Sequence, residues 1–243
     1  MIERPVFFNG EMIRAILQGH KTQTRRIMKT QPPEHWTPVN SLGDPDYTAR
    51  TYTKEVIDRH GFLQAGPSVF GVADETWGAV SPSGMPGDRL WVRENWWQAG
   101  DSVQSYPGDD EYKWSGSRRI FYAADGTPPN EPNRYYPNGL SNGSFSAANP
   151  NRIWKKRPSI HMPRWACRIL LEITAVRIER LNDISEEDCR NEGCMGGHGV
   201  IPNYQYSATP REQFSNLWQT IYGCESWKKN PWVWVVDFKL IEL

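Results

Sequence analysis

The stretch CRILLEITAVRIERL, residues 167–181, decides the fold. It is rich in β-branched residues and alternates well after Glu172, which is typical of a long β-strand. The closing stretch WVWVVDFKLIEL, residues 232–243, has the same two-residue period. Its larger apolar side chains share one face of a second strand: Trp232, Trp234, Val236, Phe238 and Leu240. The two strands predict a sheet with residues 167–181 near its centre.

Three helices with clear start and stop signals accompany these strands. Each has a residue that favours the N-cap and a glycine that ends the helix. The pairs are Asn9 and Gly19, Ser185 and Gly193, and Thr209 and Gly223. Two shorter strands are expected, one in GDRLWVRENWW from residue 87 and one in RRIFYAAD at residues 118–125.

Two long stretches between these elements are rich in Pro, Gly, Asp, Asn, Ser or Thr. They cover approximately residues 30–86 and 98–160, and we expect both to be irregular insertions. Because strands do not alternate regularly with helices, a doubly wound parallel sheet is disfavoured. The predicted class is α+β, with a small, partly open β-barrel flanked by helices in a single domain over residues 1–243.

The composition excludes several classes of protein. The chain has 243 residues, 38% of them hydrophobic, and 12 tryptophans, which is enough for a sizeable core. It has 28 basic and 28 acidic residues, so any site for an anion must be local. No apolar run is long enough to span a membrane, no secretory signal is visible, and the four cysteines suit a reducing compartment. We therefore expect a cytoplasmic protein without a membrane partner.

Cofactor and metal signals are weak. Neither a glycine-rich dinucleotide loop nor a P-loop occurs, and the chain lacks a His-Glu-x-x-His sequence. Cys189, Cys194 and His198 could be drawn as metal ligands, but Cys189 falls inside a predicted helix and no fourth ligand has the spacing of a structural zinc site. We predict neither a metal nor a cofactor.

The stretch GHKTQTRR, residues 19–26, is the first candidate site. Lys21 can act as a general base only if its pKa falls, and the charges of Arg25 and Arg26 act in that direction, whereas the preceding helix end opposes it. In a tight turn Lys21 could reach the Thr24 hydroxyl, and in an extended strand the two would diverge. The alternative is a surface loop whose basic residues bind phosphate or nothing.

Glu192 is the candidate acid. It lies in the last turn of the helix predicted after Ser185, where the helix dipole disfavours a carboxylate and favours the protonated form. An ordinary exposed glutamate is the alternative.

A second candidate site is a region free of acidic residues, from 133 to 171. It contains basic residues and aromatic rings that could hold phosphate and stack a base. The residues expected to bind substrate or nucleic acid there are Lys155, Lys156, Arg157, His161, Arg164 and Trp165. The alternatives are a solvated loop and, for His161, a packing role.

Six stretches in order resemble one family. They are ILQGHKTQTRR, GDRLWV, LLEITAVRIERL, DISEEDCRNEG, REQFSNLWQTIYG and WVWVVDFKLIEL. Together they are similar to the ASCH domain, a family with a PUA-like β-barrel that is related to RNA-binding domains. The long form, with PSIHMPRWACRILLEIT and NPWVWVVDF, is similar to proteins encoded by phages and prophages, which implies a bacterial host cytoplasm.

The resemblance implies a chemistry. Small bacterial members of the family are amidohydrolases that remove the acetyl group of N(4)-acetylcytidine. Carried over to this chain, Thr24 would be the nucleophile, Lys21 its base and Glu192 the acid, with Glu186 and Glu187 as alternative positions for the acid. The partner would be a nucleoside or a nucleic acid, either RNA or modified DNA.

Two other functions remain open on the same residues. A non-catalytic RNA- or DNA-binding module would hold phosphate with Lys21, Arg25 and Arg26. A ribonuclease would use Lys21 to stabilise the phosphorane.

Overall fold

The computed structural model describes residues 1–40, 42–106, 108, 110–148 and 151–241. The last two residues of the predicted closing strand, and four residues of the second predicted insertion and one of the first, lie outside these ranges. The described chain divides into two compact units. The first comprises residues 1–4, 15–90 and 171–241, and the second comprises residues 5–14 and 91–170. None of the described helices is long and apolar enough to cross a membrane.

The described chain is a mixed α+β structure in which strands dominate. The strands are β1 (Glu3–Phe7), β2 (Gln23–Ile27), β3 (Arg50–Ile57), β4 (Leu63–Ala73), β5 (Gly78–Val80), β6 (Arg89–Arg93), β7 (Trp96–Gln104), β8 (Tyr112–Tyr122), β9 (Ile153–Arg157), β10 (Leu170–Arg180) and β11 (Trp232–Ile241). The α-helices are α1 (Gly10–Leu17), α2 (Glu186–Asn191) and α3 (Pro210–Tyr222). The α+β class predicted from the sequence is confirmed.

The predicted long strands both form and are neighbours. They belong to a five-stranded sheet with the order β1-β6-β10-β11-β2, so β10 occupies the centre as predicted. This order is open, and the described strands do not close into a barrel. β11 and β2 are antiparallel, with Trp234 opposite Arg26 and Val236 opposite Thr24.

β11 is buried on both faces rather than on one. Five consecutive residues from Trp232 to Val236 are buried. Val233 and Val235 pack with Phe214 and Trp218 of α3 in one apolar cluster. Trp232 and Trp234 project to the other face, because side chains alternate along a strand. A strand between two others and covered on both sides is apolar throughout.

The predicted helix starts are confirmed at the level of single hydrogen bonds. The Met12 N–H donates to Asn9 Oδ1 at 2.8 Å, and the Asp188 N–H donates to Ser185 Oγ at 3.0 Å. At α3, Thr209 and Glu212 form a reciprocal capping box. These contacts are local, so sequence spacing is sufficient to find them.

The expectation of irregular structure in residues 30–86 is wrong. β3, β4 and β5 form an antiparallel sheet there. Three of the glycines in this stretch, Gly66, Gly71 and Gly78, lie inside strands, where neighbouring atoms approach closely. At Gly71 an added Cβ would lie 2.0 Å from the carbonyl oxygen of Ala79 in β5.

Within residues 98–160, the strand expected at 118–125 forms as the second half of β8, but the expectation of irregular structure for the rest is wrong. β7, β8 and β9 form a second three-stranded antiparallel sheet in the order β8-β7-β9. Gly100 and Gly116 lie opposite each other next to an irregularity in β7, and an added Cβ on Gly116 would overlap the Gln98 side chain. At Gly100 and Gly116, glycine reflects close packing within a sheet and not the absence of a sheet.

Candidate functional site

Lys21 lies in the short connection between α1 and β2, the strand at one edge of the five-stranded sheet. Gly19 has a positive φ of 75°, and the N–H groups of His20 and Lys21 both donate to the Ala15 carbonyl, at 2.9 and 3.1 Å. This glycine-terminated turn aims the chain toward the end of α2. Lys21 and Glu192 then form an isolated antiparallel bridge between the two segments.

The side chains of Lys21 and Glu192 form a buried ion pair. Lys21 Nζ is 2.5 Å from Glu192 Oε2 and 2.9 Å from the Glu192 carbonyl oxygen. The exposed fractions of the two side chains are 0% and 3%. A lysine is rarely buried to this extent unless it is paired, so the pair is a specific feature of the fold.

Burial lowers the pKa of Lys21 despite the adjacent carboxylate. Desolvation is the largest effect, the negative charge of Glu192 opposes it, and the positive charge of Arg26 acts with it. A lysine with a lowered pKa carries a neutral amine more readily, and a neutral amine can accept a proton.

Of the three candidate acids, only Glu192 is placed at Lys21 by the described structure. Glu186 and Glu187 are exposed in the first turn of α2, and Glu186 pairs with Arg190 at 3.3 Å. Glu192 is the C-cap of α2. Helix periodicity and the C-cap position therefore decide which glutamate meets the lysine.

Thr24 is buried, but on the opposite side of β2. The segment is extended from Gln23 onward, so Gln23 and Arg25 share one face while Thr24 and Arg26 share the other. Thr24 is 4% exposed, and it projects to the face of β2 opposite that of Gln23 and Arg25. The extended alternative left open by the sequence is the one observed.

Arg25 is engaged in a network of carboxylates and not at the surface. Its guanidinium lies 2.8 Å from Glu179, 3.2 Å from Asp188 and 3.6 Å from Glu192. Its side chain is 0% exposed. We therefore place Arg25 as a residue that positions the carboxylates, and its predicted contact with phosphate would require this network to open.

Five members of the network were not singled out as site residues from the sequence: Gln23, Arg177, Glu179, Asp188 and Asp237. Arg177 pairs with Glu179 at 2.5 Å and with Asp237 at 2.7 Å. The Gln23 amide donates to Asp188 and Asp237 and accepts from Arg25. The available signal was charge at alternate positions of apolar strands, in Arg177 and Glu179 of β10 and in Asp237 of β11.

The network holds Asp188 in its ionised form. Burial by itself would raise the pKa of Asp188, but the Gln23 hydrogen bond and the charges of Arg25 and Arg177 lower it below its usual range. In Glu192, Oε2 contacts Lys21, whereas Oε1 is buried without a hydrogen-bond partner among the described residues, although Arg25 is 3.6 Å away. A buried polar atom without a hydrogen bond is uncommon in folded proteins.

Arg26 lies on the Thr24 face of β2 and lines a cavity. It is half-buried and opposite Trp234 of β11. The cavity has a volume of about 460 Å³. The structure thus separates the two neighbouring arginines, with Arg25 in the carboxylate network and Arg26 at a cavity.

The other predicted binding residues belong to the second unit. Lys155, Lys156 and Arg157 lie in β9, and Lys155 and Lys156 are exposed. Lys155 Nζ lies 5.1 Å from the ring centre of Trp114, and Lys156 Nζ lies 5.9 Å from that of Trp97. Since adjacent strand residues point to opposite faces, the two lysines cannot serve one flat surface.

His161, Arg164 and Trp165 lie in two short 3₁₀ turns that follow β9, and all three are exposed. Trp165 makes an edge-on contact with Trp96 at 6.1 Å and lies 5.7 Å from the Arg118 guanidinium. These residues belong to a different unit from Lys21 and Glu192. They form a separate candidate surface.

Other candidate chemistry receives no support from the described residues. No group of three or more His, Cys, Asp and Glu side chains in them could hold a metal ion. Cys189 and Cys194 are buried and not in a disulfide, and burial raises the pKa of Cys189 to about 11. Residues 139–143 read GLSNG, but they lie in irregular chain and not between a strand and a helix as a hydrolase nucleophile requires.

Comparison of this chain with protein-family models, with curated proteins and with solved structures gave no match.

Proposed function

We propose that the protein is an amidohydrolase that acts on an acylated nucleoside or modified base such as N(4)-acetylcytidine. The observation that carries the proposal is the buried contact of 2.5 Å between Lys21 and Glu192, with a lowered pKa for Lys21. A shift of this kind at a buried lysine is typical of catalytic groups. The resemblance to the ASCH domain supplies the substrate class.

Lys21 and Glu192 bring a base and an acid into direct contact. Burial favours the neutral amine of Lys21 and lowers the pKa of that group. Acyl transfer needs one group that accepts a proton and one that donates a proton, and in this proposal they are Lys21 and Glu192.

In the proposed reaction, Thr24 Oγ1 loses its proton to Lys21 and attacks the carbonyl carbon of the acyl group. The carbon–nitrogen bond then breaks, and Glu192 protonates the departing amine. Water then cleaves the ester, so that its hydroxyl leaves with the acyl group as a carboxylic acid and its hydrogen returns to Thr24 Oγ1. The proton held by Lys21 passes back to Glu192, which restores both groups. Thr24 projects to the face of β2 opposite that of Gln23 and Arg25, whereas Lys21 lies just before the strand. The proton of Thr24 would therefore pass to Lys21 through a water molecule at the N-terminal end of β2.

The relation of this fold to the ASCH domain is part of the same proposal. We infer that the five-stranded sheet with α1, α2 and α3 corresponds to the PUA-like barrel of the ASCH domain, with β3–β5 and β7–β9 as additions. The order in which the resembling stretches occur supports this, because they supply α1, β2, β6, β10, α2, α3 and β11. A phage or prophage setting in a bacterial cytoplasm follows from the same resemblance.

The test is release of cytidine from N(4)-acetylcytidine, followed by chromatography. The Lys21→Met variant, which keeps the length of the side chain, is expected to lose at least about a hundredfold in rate. For the intact protein the rate is expected to rise with pH through the pKa of Lys21, which lies below 10.5. Lys228→Ala, at an exposed lysine, is the matched control and should keep full activity.

Thermal unfolding of the same samples separates a chemical effect from misfolding. Normal cytidine release by a folded Lys21→Met variant would contradict the role of Lys21. Thr24→Ala tests the nucleophile separately: if it retained activity, a water molecule activated by the Lys21–Glu192 pair would replace Thr24 in the scheme.

A nucleic-acid-binding module is the second candidate. The observation that favours it is the set of exposed basic and aromatic side chains in the second unit, which includes Lys155, Lys156 and Trp165. Binding through phosphate contacts would weaken steeply as salt rises. Such a module would tolerate Glu192→Gln, whereas the amidohydrolase would not.

A further inference from the structure

The cavity at Arg26 lies within the first unit, on the Thr24 face of β2. Its walls come from β2, β3, β5 and β11 and the segments next to them. The lining residues are Arg26, Ile27, Met28, Lys29, Thr30, Tyr52, Lys54, Gly78, Ala79, Val80, Pro82 and Trp234. Its volume of about 460 Å³ lies within the range of pockets that hold small molecules.

The charge of this cavity has one sign. Arg26, Lys29 and Lys54 are cationic, and no acidic residue is among its described lining residues. A neighbouring depression shares Tyr52, Lys54 and Gly78, but its three carboxylates, Glu55, Asp74 and Glu75, outnumber its two cations, Arg50 and Lys54, so it is less suited to an anion. An anionic ligand is therefore directed to the cavity at Arg26.

The cavity also presents aromatic rings beside the cations. Tyr52 is half-buried, and Trp234 lies directly across the sheet from Arg26. Burial raises the pKa of Tyr52, so its hydroxyl remains a hydrogen-bond donor at neutral pH. Gly78 leaves room for this ring, because an added Cβ would lie 3.2 Å from the Tyr52 hydroxyl.

Two relations connect the cavity with the candidate site. Thr24 and Arg26 are two residues apart in one strand, so their side chains project to the same face. Arg26 is also close enough to Lys21 for its charge to lower the pKa of that lysine. Much of the wall comes from residues 52–82, which lie outside the stretches that resemble the ASCH domain.

We propose that this cavity binds a nucleoside 5′-phosphate, with the phosphate held by Arg26, Lys29 and Lys54 and the base against Tyr52 and Trp234. The combination of a cationic cluster with aromatic walls suits a ligand that has a phosphate and a planar ring. The inference rests on the proposed function for the choice of a nucleotide. It places the phosphate-bearing substrate on the face of β2 that carries Thr24.

The test compares the binding of 5′-CMP and cytidine by isothermal titration calorimetry. We expect 5′-CMP to bind at least about tenfold more tightly than cytidine at low salt, because only the nucleotide engages the cations. Lys54→Ala should reduce this ratio about fivefold, since Lys54 is exposed and its loss leaves the fold intact. Lys228→Ala, at a lysine outside the cavity, should leave the ratio unchanged.

A short cytidine oligonucleotide distinguishes the two sources of the ligand. If the oligonucleotide binds more tightly than 5′-CMP, with the same dependence on Lys54, the occupant is a nucleotide within a nucleic-acid chain. If it binds more weakly, the occupant is the free nucleotide. Equal affinities for cytidine and 5′-CMP, or an unchanged ratio in Lys54→Ala, would overturn the proposal. Because 5′-CMP has no acyl group, failure of the amidohydrolase reaction would not affect this result.

Discussion

At the scale of single residues, the first candidate site depends on which side of a strand each side chain occupies. Lys21 and Arg25 meet carboxylates, whereas Thr24 and Arg26 project to the other face. The sequence placed all four within six residues and treated them as one group. Their physical roles diverge because neighbouring positions in a β-strand point in opposite directions.

Arg25 is expected to stabilise the fold strongly. Removal of its guanidinium in Arg25→Met would leave Glu179, Asp188 and Glu192 without their shared cation in a buried setting. We expect a loss of about 3 kcal/mol in the free energy of unfolding, measured with urea. Arg190→Ala, which removes an exposed pair with Glu186, should change it by less than about 0.5 kcal/mol. A similar small change for both variants would show that the buried network contributes little.

At the scale of elements, the helices are defined locally and the strands are not. Each predicted helix begins at the residue that the capping signals indicated. The strands at 50–80, most of β7 and the first half of β8 were missed because the glycines in these stretches resemble turn formers. Position 71 requires glycine because Ala79, in the neighbouring strand β5, leaves no room for a side chain there. The pattern of residues around Gly71 does not show that this strand lies so close.

The capping box at the start of α3 is expected to stabilise this helix. Thr209→Ala removes the side-chain acceptor for the Glu212 N–H and the donor to the Glu212 carboxylate. The free energy of unfolding should fall by about 1 kcal/mol. Thr220→Ala, inside the same helix, should leave stability nearly unchanged or slightly higher, since alanine is the better helix former. Equal effects of the two substitutions in urea denaturation would argue against a contribution from the cap.

At the scale of the whole molecule, charge is balanced in total but not locally. The chain has equal numbers of basic and acidic residues. Yet carboxylates concentrate around Arg25 and Arg177, and cations concentrate around the cavity at Arg26. A neutral protein can therefore carry a distinct acidic network and a distinct anion site.

Stability is expected to fall in acid. The pKa values of Asp46, Asp74, Asp88 and Asp188 are held below the usual 3.8 by hydrogen bonds and by neighbouring cations, against the opposing effect of burial. A carboxyl with a lowered pKa stabilises the fold above pH 3.8, and this contribution is lost as the pH falls through the lowered value. The raised pKa of Glu94 acts in the opposite direction.

Thermal unfolding between pH 7 and pH 2.5 provides the measurement. The midpoint should decrease below about pH 4. The Asp188→Asn variant should start from a lower midpoint at pH 7 and show a smaller decrease. A midpoint that is independent of pH would contradict the electrostatic account of the network.

The sequence by itself determined the α+β class, the two long strands and the helix starts, and it nominated Lys21, Thr24 and Glu192 as candidate site residues. These features follow from period-two patterning and from capping contacts between residues three apart, which are local. Only the tertiary structure decided that Glu192 meets Lys21, that Arg25 is enclosed by carboxylates and that the two glycine-rich stretches form sheets. The partners in those contacts are far apart along the chain, 171 residues in the case of Lys21 and Glu192, so only the folded chain brings them together.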